Sequence, residues 1–299
     1  MKQQITHSAK PDQRNNDIHI YINGNLVPKA EATVSVYDSG FLLGDGVWEG
    51  LRLHNGRWLF LNDHLDRLFM GARAIGLDLK LTRQQILNAL EQTRIKNDMT
   101  NDVHARVMVT RGVKTRPFQH PAYSQSGPTF VIIMEHSLVD APKAISLATV
   151  SQIRGLPNAQ DPKINSHSKL NCVLAAVEAE RLGADEALML DVNGFVNTTN
   201  ACNFFIVTKG QLWTSSGDYC INGVTRDKVI QIAKQCNIAV FEKNYSLAQA
   251  YAADEAFITG TFAGIVAVAT IDGHRIGNGS LGTIGQQLLQ GYQTLCRAD

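Results

Sequence analysis

The pattern of apolar residues predicts an α+β fold in two domains, on three observations. Strand patterns come as hairpin pairs around Asn-Gly turns. Helical patterns are interleaved among them with no regular strand–helix–strand alternation, which a doubly wound parallel sheet would need. The 299 residues exceed the roughly 100–200 of one typical domain.

In chain order, residues 18–23 alternate apolar and polar up to the tight turn Asn23-Gly24. Residues 47–53 and 58–61 flank Asn55-Gly56 and read as a second hairpin. Leu61, Leu65, Leu68, Phe69, Ala72 and Ile75 then share one face at helical spacing, with Gly76 as the stop. A helix over 83–95 and strands over 103–110 and 129–135 follow. The last two are separated by a polar loop, 111–127, long enough to be functional or mobile. The second half reads as a strand at 145–151, a helix at 170–182 stopped by Gly183, and strands at 187–191 and 203–208 around the turn Asn193-Gly194. A helix at 225–235, strands at 255–259 and 265–271, and a helix at 281–296 complete it. The expected organisation is a flexible leader over 1–16, an N-terminal domain over 17–136, a linker over 137–143 and a C-terminal domain over 144–299.

Composition narrows the function. Twenty-eight Lys+Arg against 27 Asp+Glu give a formal charge of +1, which disfavours a nucleic-acid binder because phosphate contacts need surplus cations. At 44% hydrophobic and 18% charged residues the chain builds a core rather than staying disordered. No apolar run approaches the roughly 20 residues that span a bilayer, and the polar N-terminus lacks a signal-peptide core. Cys172, Cys202, Cys220, Cys236 and Cys296 are odd in number and widely spaced, which predicts reduced thiols in the cytoplasm. There is no CxxC pair and no HExxH, and His19 has no alternating partner, so no metal site is expected.

Two turns suit a phosphate group. Gly223-Val224-Thr225-Arg226 opens a helix, whose N-terminus presents free N–H groups and partial positive charge. Thr259-Gly260-Thr261 follows a strand and offers hydroxyls with close backbone approach. Each taken alone also reads as an ordinary cap or turn. Arg67, beside the apolar face of its helix, reads either as an anion clamp or as a snorkelling surface residue.

The set GDGVWEG (44–50), HLDRL (64–68), VMVTRG (107–112), ADEALMLDVNGFV (184–196), GVTRD (223–227) and TGTFAGI (259–265) resembles the class IV aminotransferases. These are the fold-type-IV pyridoxal-phosphate enzymes, which include branched-chain and D-amino-acid aminotransferases, R-selective amine transaminases and aminodeoxychorismate lyases. The motifs run in family order over about 18–296. The resemblance implies two α/β domains with the cofactor pyridoxal 5′-phosphate between them, and a homodimer whose interface helps to form each site. It assigns the phosphate to Arg67, Val224, Thr225 and Thr261, and groups Thr198 and Asn203 with the cofactor-binding residues.

Two departures from the family pattern stand out. Ungapped alignment on 170–183 puts Asn165 where the family has the lysine that joins the cofactor covalently. The nearest amines are Lys169 and Lys163. Lys163 shares a face with Asn165 if the segment is extended, whereas Lys169 falls where branched-chain members have a tyrosine against the cofactor ring. Lys169 is the preferred catalytic amine, Lys163 the alternative, and loss of the lysine altogether stays open. Thr198 occupies the position of the family glutamate that holds the ring nitrogen protonated; a hydroxyl supplies no such charge.

For the substrate, the resemblance points to Arg106, on the strand position used by branched-chain members, or to Arg116, in the loop used by D-amino-acid members. The histidine that accompanies the latter is replaced by Phe118. Trp48 and Phe41 are expected in an apolar part of the pocket. The implied activity is transamination between an amino acid or amine and a keto acid. An aminodeoxychorismate-type lyase or a non-catalytic homologue are the alternatives.

Overall fold

The computed structural model describes residues 10–139 and 144–298. The expected leader therefore lies outside the described residues as far as residue 9, and the expected linker lies outside them over 140–143. Within the leader, Gln13–Asn16 forms a 3-10 turn. Asn15 donates to the His136 carbonyl at 2.8 Å and accepts from the His136 N–H at 2.7 Å. The chain divides into two compact units. The first contains the described residues up to Leu138 together with Ile164–Lys169, and the second runs from Val139 to Lys163 and from Leu170 to Ala298.

The first unit contains β1 (His19–Ile22), β2 (Asn25–Pro28), α1 (Ser39–Leu43), β3 (Gly46–His54), β4 (Arg57–Trp58), α2 (Leu61–Ala74), α3 (Arg83–Lys96), β5 (Val103–Thr110) and β6 (Thr129–His136). Its strands form an antiparallel sheet in the order β2-β1-β6-β5-β3-β4. Period-two alternation sends Val47, Leu51 and Leu53 of β3 and Val103, Ala105, Val107 and Val109 of β5 into one core, packed with Leu65, Leu68, Ile86 and Leu90 of the two long helices. The strand expected over 58–61 stops at Trp58: Leu59 and Phe60 turn, Phe60 takes φ 52°, and α2 begins at once. A Thr82–Gln85 capping box opens α3.

The second unit contains β7 (Ile145–Thr149), α4 (Pro157–Gln160), α5 (Leu170–Arg181), β8 (Glu186–Leu190), β9 (Val196–Thr199), β10 (Asn203–Thr208), β11 (Gln211–Thr214), α6 (Val224–Gln235), β12 (Val240–Glu242), α7 (Leu247–Tyr251), β13 (Glu255–Gly260), β14 (Gly264–Ile271), β15 (His274–Arg275) and α8 (Thr283–Ala298). Its sheet runs β12-β11-β10-β13-β14-β7-β8-β9, and β9 pairs back onto β10 through Thr198 and Asn203. Six strands, β10-β13-β14-β7-β8-β9, thus close into a ring around Leu147, Leu188, Phe204, Ile206, Ile258 and Val266. β7 is parallel to both β14 and β8. Glu255 of β13, buried, accepts from the N–H groups of Gly282, Ile284 and Gly285 at 2.8–3.1 Å, so a carboxylate from the sheet caps α8.

The long loop over 111–127 has structure of its own. Arg111 forks onto Asp45 at 2.8 and 3.0 Å and donates to the carbonyls of Ile75 and Gly76. Lys114, 3% exposed, donates to the His120 carbonyl and the Ser124 hydroxyl. Gly112 has φ 92°, and a Cβ there would stand 1.8 Å from the Gly127 carbonyl oxygen. Gly112→Ala is therefore expected to destabilise the protein by more than the roughly 1 kcal/mol of a strained φ alone, read as a lower urea midpoint. An unchanged midpoint would refute the tied loop.

Candidate functional site

In the first unit, β3 places Glu49 on its core-facing side between Val47 and Leu51, with 0% exposure. A carboxylate there is costly unless paired, and α2 supplies both partners. Arg67 donates Nε–H to Oε1 at 2.7 Å and Nη2–H to Oε2 at 2.8 Å. His64 bonds Oε2 through Nδ1 at 2.7 Å; since a carboxylate only accepts, Nδ1 carries the hydrogen. The His64 Nε2 is buried without a hydrogen-bond partner. Burial alone would raise the Glu49 carboxyl, but Arg67 and His64 outweigh it and hold it below its ordinary value.

The opposite face of β3 carries Trp48. The Arg106 guanidinium of β5 lies 4.0 Å from the Trp48 ring centroid, and among the described residues Arg106 has no ion pair. Trp48 also holds the segment 165–167. Its backbone N–H bonds the Asn165 carbonyl at 3.0 Å and its indole N–H bonds the Ser166 carbonyl at 3.1 Å. His167 returns an N–H to the Gly46 carbonyl at 3.0 Å, and its Nε2 lies 3.2 Å from the Val47 carbonyl. Burial pushes the His167 imidazole below its ordinary value, helped by the positive charges of Arg106 and Lys169. Lys169 is half-buried and immediately precedes α5.

The extended segment that would set Lys163 and Asn165 on one face is not what forms. Asp161 accepts from the Lys163 N–H at 2.9 Å and fixes a turn at 162–163, and pairing with β3 begins only at Asn165. Arg116 is exposed in the loop, and Phe118 packs edge-on against Tyr123. Phe41, expected in an apolar pocket, is 70% exposed on α1.

In the second unit, Thr198, Asn203 and Thr259 stand side by side across β9, β10 and β13. The Thr198 hydroxyl, 1% exposed, donates to the Cys202 carbonyl at 2.7 Å. Asn203 donates to the Ile221 carbonyl at 2.9 Å, tying the strand to the turn that feeds α6. A Cβ on Gly223 would lie 2.3 Å from the Asn203 Oδ1, so this N-cap has to be glycine. That leaves the first turn of α6, with Val224 and Thr225, without a side-chain cap. The Thr259 hydroxyl is buried without a partner, and Thr261 follows two residues on, half-buried. Uncapped N–H groups, an orphaned hydroxyl and a glycine that admits close approach fit a phosphate monoester. Asn203 shapes this cradle through the turn it holds. Arg226 ties α6 down by donating to the Ser215 carbonyl and to Glu242, both at 2.9 Å.

Two residues escaped the sequence reading. Glu49 had a signal, being a charge at a core-facing strand position opposite a helical His and Arg three apart. His167 had none, because a ring nitrogen bonded to a carbonyl is a tertiary fact, as is the orphaned state of the Thr259 hydroxyl, whose turn the sequence did mark. Among the described residues no group of three or more His, Cys, Asp or Glu side chains stands where it could hold a metal ion, and no helix is long and apolar enough to cross a membrane.

The family model for amino-transferase class IV matches residues 46–271. A branched-chain-amino-acid aminotransferase-like protein of Arabidopsis thaliana is 37% identical over 287 residues, covering 95% of this chain and 51% of that protein. The chain thus spans about half the length of that relative. A putative branched-chain-amino-acid aminotransferase of Methanocaldococcus jannaschii is 38% identical over 278 residues, 92% of this chain and 96% of the relative. A D-alanine aminotransferase of Listeria monocytogenes is 32% identical over 280 residues, 91% and 93% of the two chains. Among solved structures, the branched-chain amino acid aminotransferase of Thermobaculum terrenum in its PLP form superposes with a TM-score of 0.85 at 25% identity, covering 95% of this chain and 96% of that one. The α+β, two-domain fold-type-IV architecture is the one observed.

The buried carboxylate makes a pH prediction. Glu49 has its folded pKa below the ordinary 4.5, so its stabilising contribution is complete above that pH and is lost as pH falls through the lower folded value. Urea midpoints of the wild type should fall below about pH 4.5, and Glu49→Gln should flatten that part of the curve. Parallel acid limbs for the two proteins would contradict it.

Proposed function

The chain belongs to the amino-transferase class IV family, and from that premise we propose that it transfers an amino group between an amino acid or amine and a keto acid, using pyridoxal 5′-phosphate. The observation that carries the reading is the cradle of the second unit: the uncapped first turn of α6 beside the orphaned Thr259 hydroxyl. Val224, Thr225 and Thr261 would hold the phosphate there; the resemblance also assigns it Arg67, a guanidinium suited to a phosphate monoester. When bound, the cofactor supplies an aldehyde and an electron-withdrawing ring. The relatives act on branched-chain amino acids and on D-alanine by name, which supports an amino-acid donor without fixing its hand.

The residues of this chain would do the rest. The Lys169 Nζ would be the amine that holds the cofactor aldehyde, and the same nitrogen would take and return a proton as general base and acid. Its place at the start of α5 supports this, since a helix N-terminus disfavours the protonated amine. Lys163, held in its turn by Asp161, is the alternative. The Thr198 hydroxyl directs its hydrogen to the Cys202 carbonyl, so toward a cofactor ring nitrogen it would offer an acceptor and no charge. Asn165 at the ordinary lysine position and Thr198 at the ordinary glutamate position make the site atypical. Arg106, exposed like Arg116, lies over the Trp48 ring and has no ion pair among the described residues, and that placement supports it as the ligand of a substrate carboxylate.

The assembly we propose is a homodimer. Val34, Val36, Tyr37 and Phe41, 45–70% exposed within one short stretch, support it. The compartment we propose is the cytoplasm, which agrees with five cysteines that form no disulfide.

Borohydride reduction of protein loaded with pyridoxal 5′-phosphate, followed by peptide mapping, should mark Lys169. Lys169→Ala should lose the adduct and the half-reaction with an amino donor, and Lys163→Ala should keep both. The reverse pattern would move the role to Lys163, and a protein that takes up no cofactor would leave a non-catalytic homologue. Light scattering at micromolar concentration should give the mass of a dimer; a monomer alone would sink that part of the proposal.

A further inference from the structure

The contacts around Arg67 exceed what a solvated helix arginine needs. Both oxygens of Glu49 are engaged by its Nε and Nη2, at 2.7 and 2.8 Å, and Glu49 is itself sealed from solvent. A fork facing a carboxylate fixes the plane of the guanidinium as well as its distance. His64, one helical turn earlier on α2, clamps Oε2 at 2.7 Å, so the carboxylate cannot swing either. The Arg67 side chain is 14% exposed, which puts the guanidinium at the margin of the core.

A buried ion pair gains little stability over a well-packed apolar pair. Its value here is in orientation. We propose that Glu49, locked by His64, is a positioning residue that holds the guanidinium of Arg67 in the plane needed to bind a phosphate monoester. The proposal rests on the reading of Arg67 as a phosphate ligand given above.

Two physical effects of Glu49 on a bound phosphate have opposite signs, which makes the proposal decidable. As a negative charge beside Arg67 it repels a dianion, so its removal would tighten binding if charge alone mattered. As the part that fixes the fork, its removal loosens binding, because an arginine free to rotate must be ordered again by the ligand.

The experiment is a titration of wild type, Glu49→Gln and Glu49→Asp with pyridoxal 5′-phosphate and, separately, with pyridoxal, which has the same ring and aldehyde but no phosphate. Binding is read by absorbance and by equilibrium dialysis. Glu49→Gln should raise the Kd of the phosphate ester by about tenfold or more, roughly the effect of one well-oriented charged hydrogen bond. The Kd of pyridoxal should stay within about twofold of wild type, the spread expected of a contact that is not made. Glu49→Asp keeps the buried charge but withdraws it by one methylene, and should fall between; it also serves if Glu49→Gln does not fold. Equal weakening for both ligands would assign Glu49 a merely structural role and overturn the proposal. Unchanged or tighter binding of the phosphate ester would overturn it as well, in favour of charge alone. A wild type that binds pyridoxal as tightly as its phosphate ester would instead remove Arg67 as a phosphate ligand, and a wild type that binds neither would remove the cofactor reading; the proposal falls with either.

Discussion

A charge taken out of water must be answered inside the protein, because the loss of hydration outweighs what packing around one side chain returns. In this protein the answers tie separate elements to one another. Glu49 of β3 is answered by two side chains of α2, so the sheet and its helix are registered by hydrogen bonds as well as by apolar contact. Glu255 of β13 is answered by three backbone N–H groups at the start of α8. Arg226 of α6 is answered by Glu242 of β12 and by the Ser215 carbonyl. Arg154, 8% exposed, is answered by the carbonyls of Thr199 and Asn200 and by the Cys172 sulfur, which holds the turn just after Thr198. The apolar clusters fill each unit, and these polar joints set where the helix ends and turns stand within it.

Much of the fold was legible because the signals are local. The Asn-Gly turns at 23–24, 55–56 and 193–194, the glycine stops at 76 and 183, and the helical face from Leu61 to Ile75 are all properties of neighbouring residues. What escaped is non-local or short. β2 and β15 are hairpin partners whose pairing, more than their composition, makes them strands. β9 and the ring closure rest on Thr198 meeting Asn203, and the intervening turn is set by Thr199, whose hydroxyl accepts from two backbone N–H groups and bonds Glu186. The expectation for 58–61 failed because Phe60 takes a left-handed conformation that its residue type does not advertise.

The candidate site divides along the same line. The α6 turn follows from helix-end chemistry and Thr259-Gly260-Thr261 from a hydroxyl-bearing turn after a strand, and both were legible as anion-binding features in the sequence. Arg67 was legible as a residue but not as half of a buried pair. The condition on which Lys163 would share a face with Asn165, an extended segment, is not met: a turn lies at 162–163, and only the later residues lie along β3. Phe41 was read inward from its type, and lies outward.

The ring of strands has a consequence for how the chain reaches its fold. β7 needs β14 on one side and β8 on the other, and residues 150–263 separate it from β14. Until that late segment exists, β7 presents an unpaired apolar edge. Contacts of such long sequence separation pay their loop-closure entropy before they return any stability, and they fold slowly. During synthesis the first unit can assemble all of its sheet once β6 has emerged, while the second must wait for nearly the whole chain. The exposed edge of β7 is then the place where a chain stalled in translation would pair with the wrong strand.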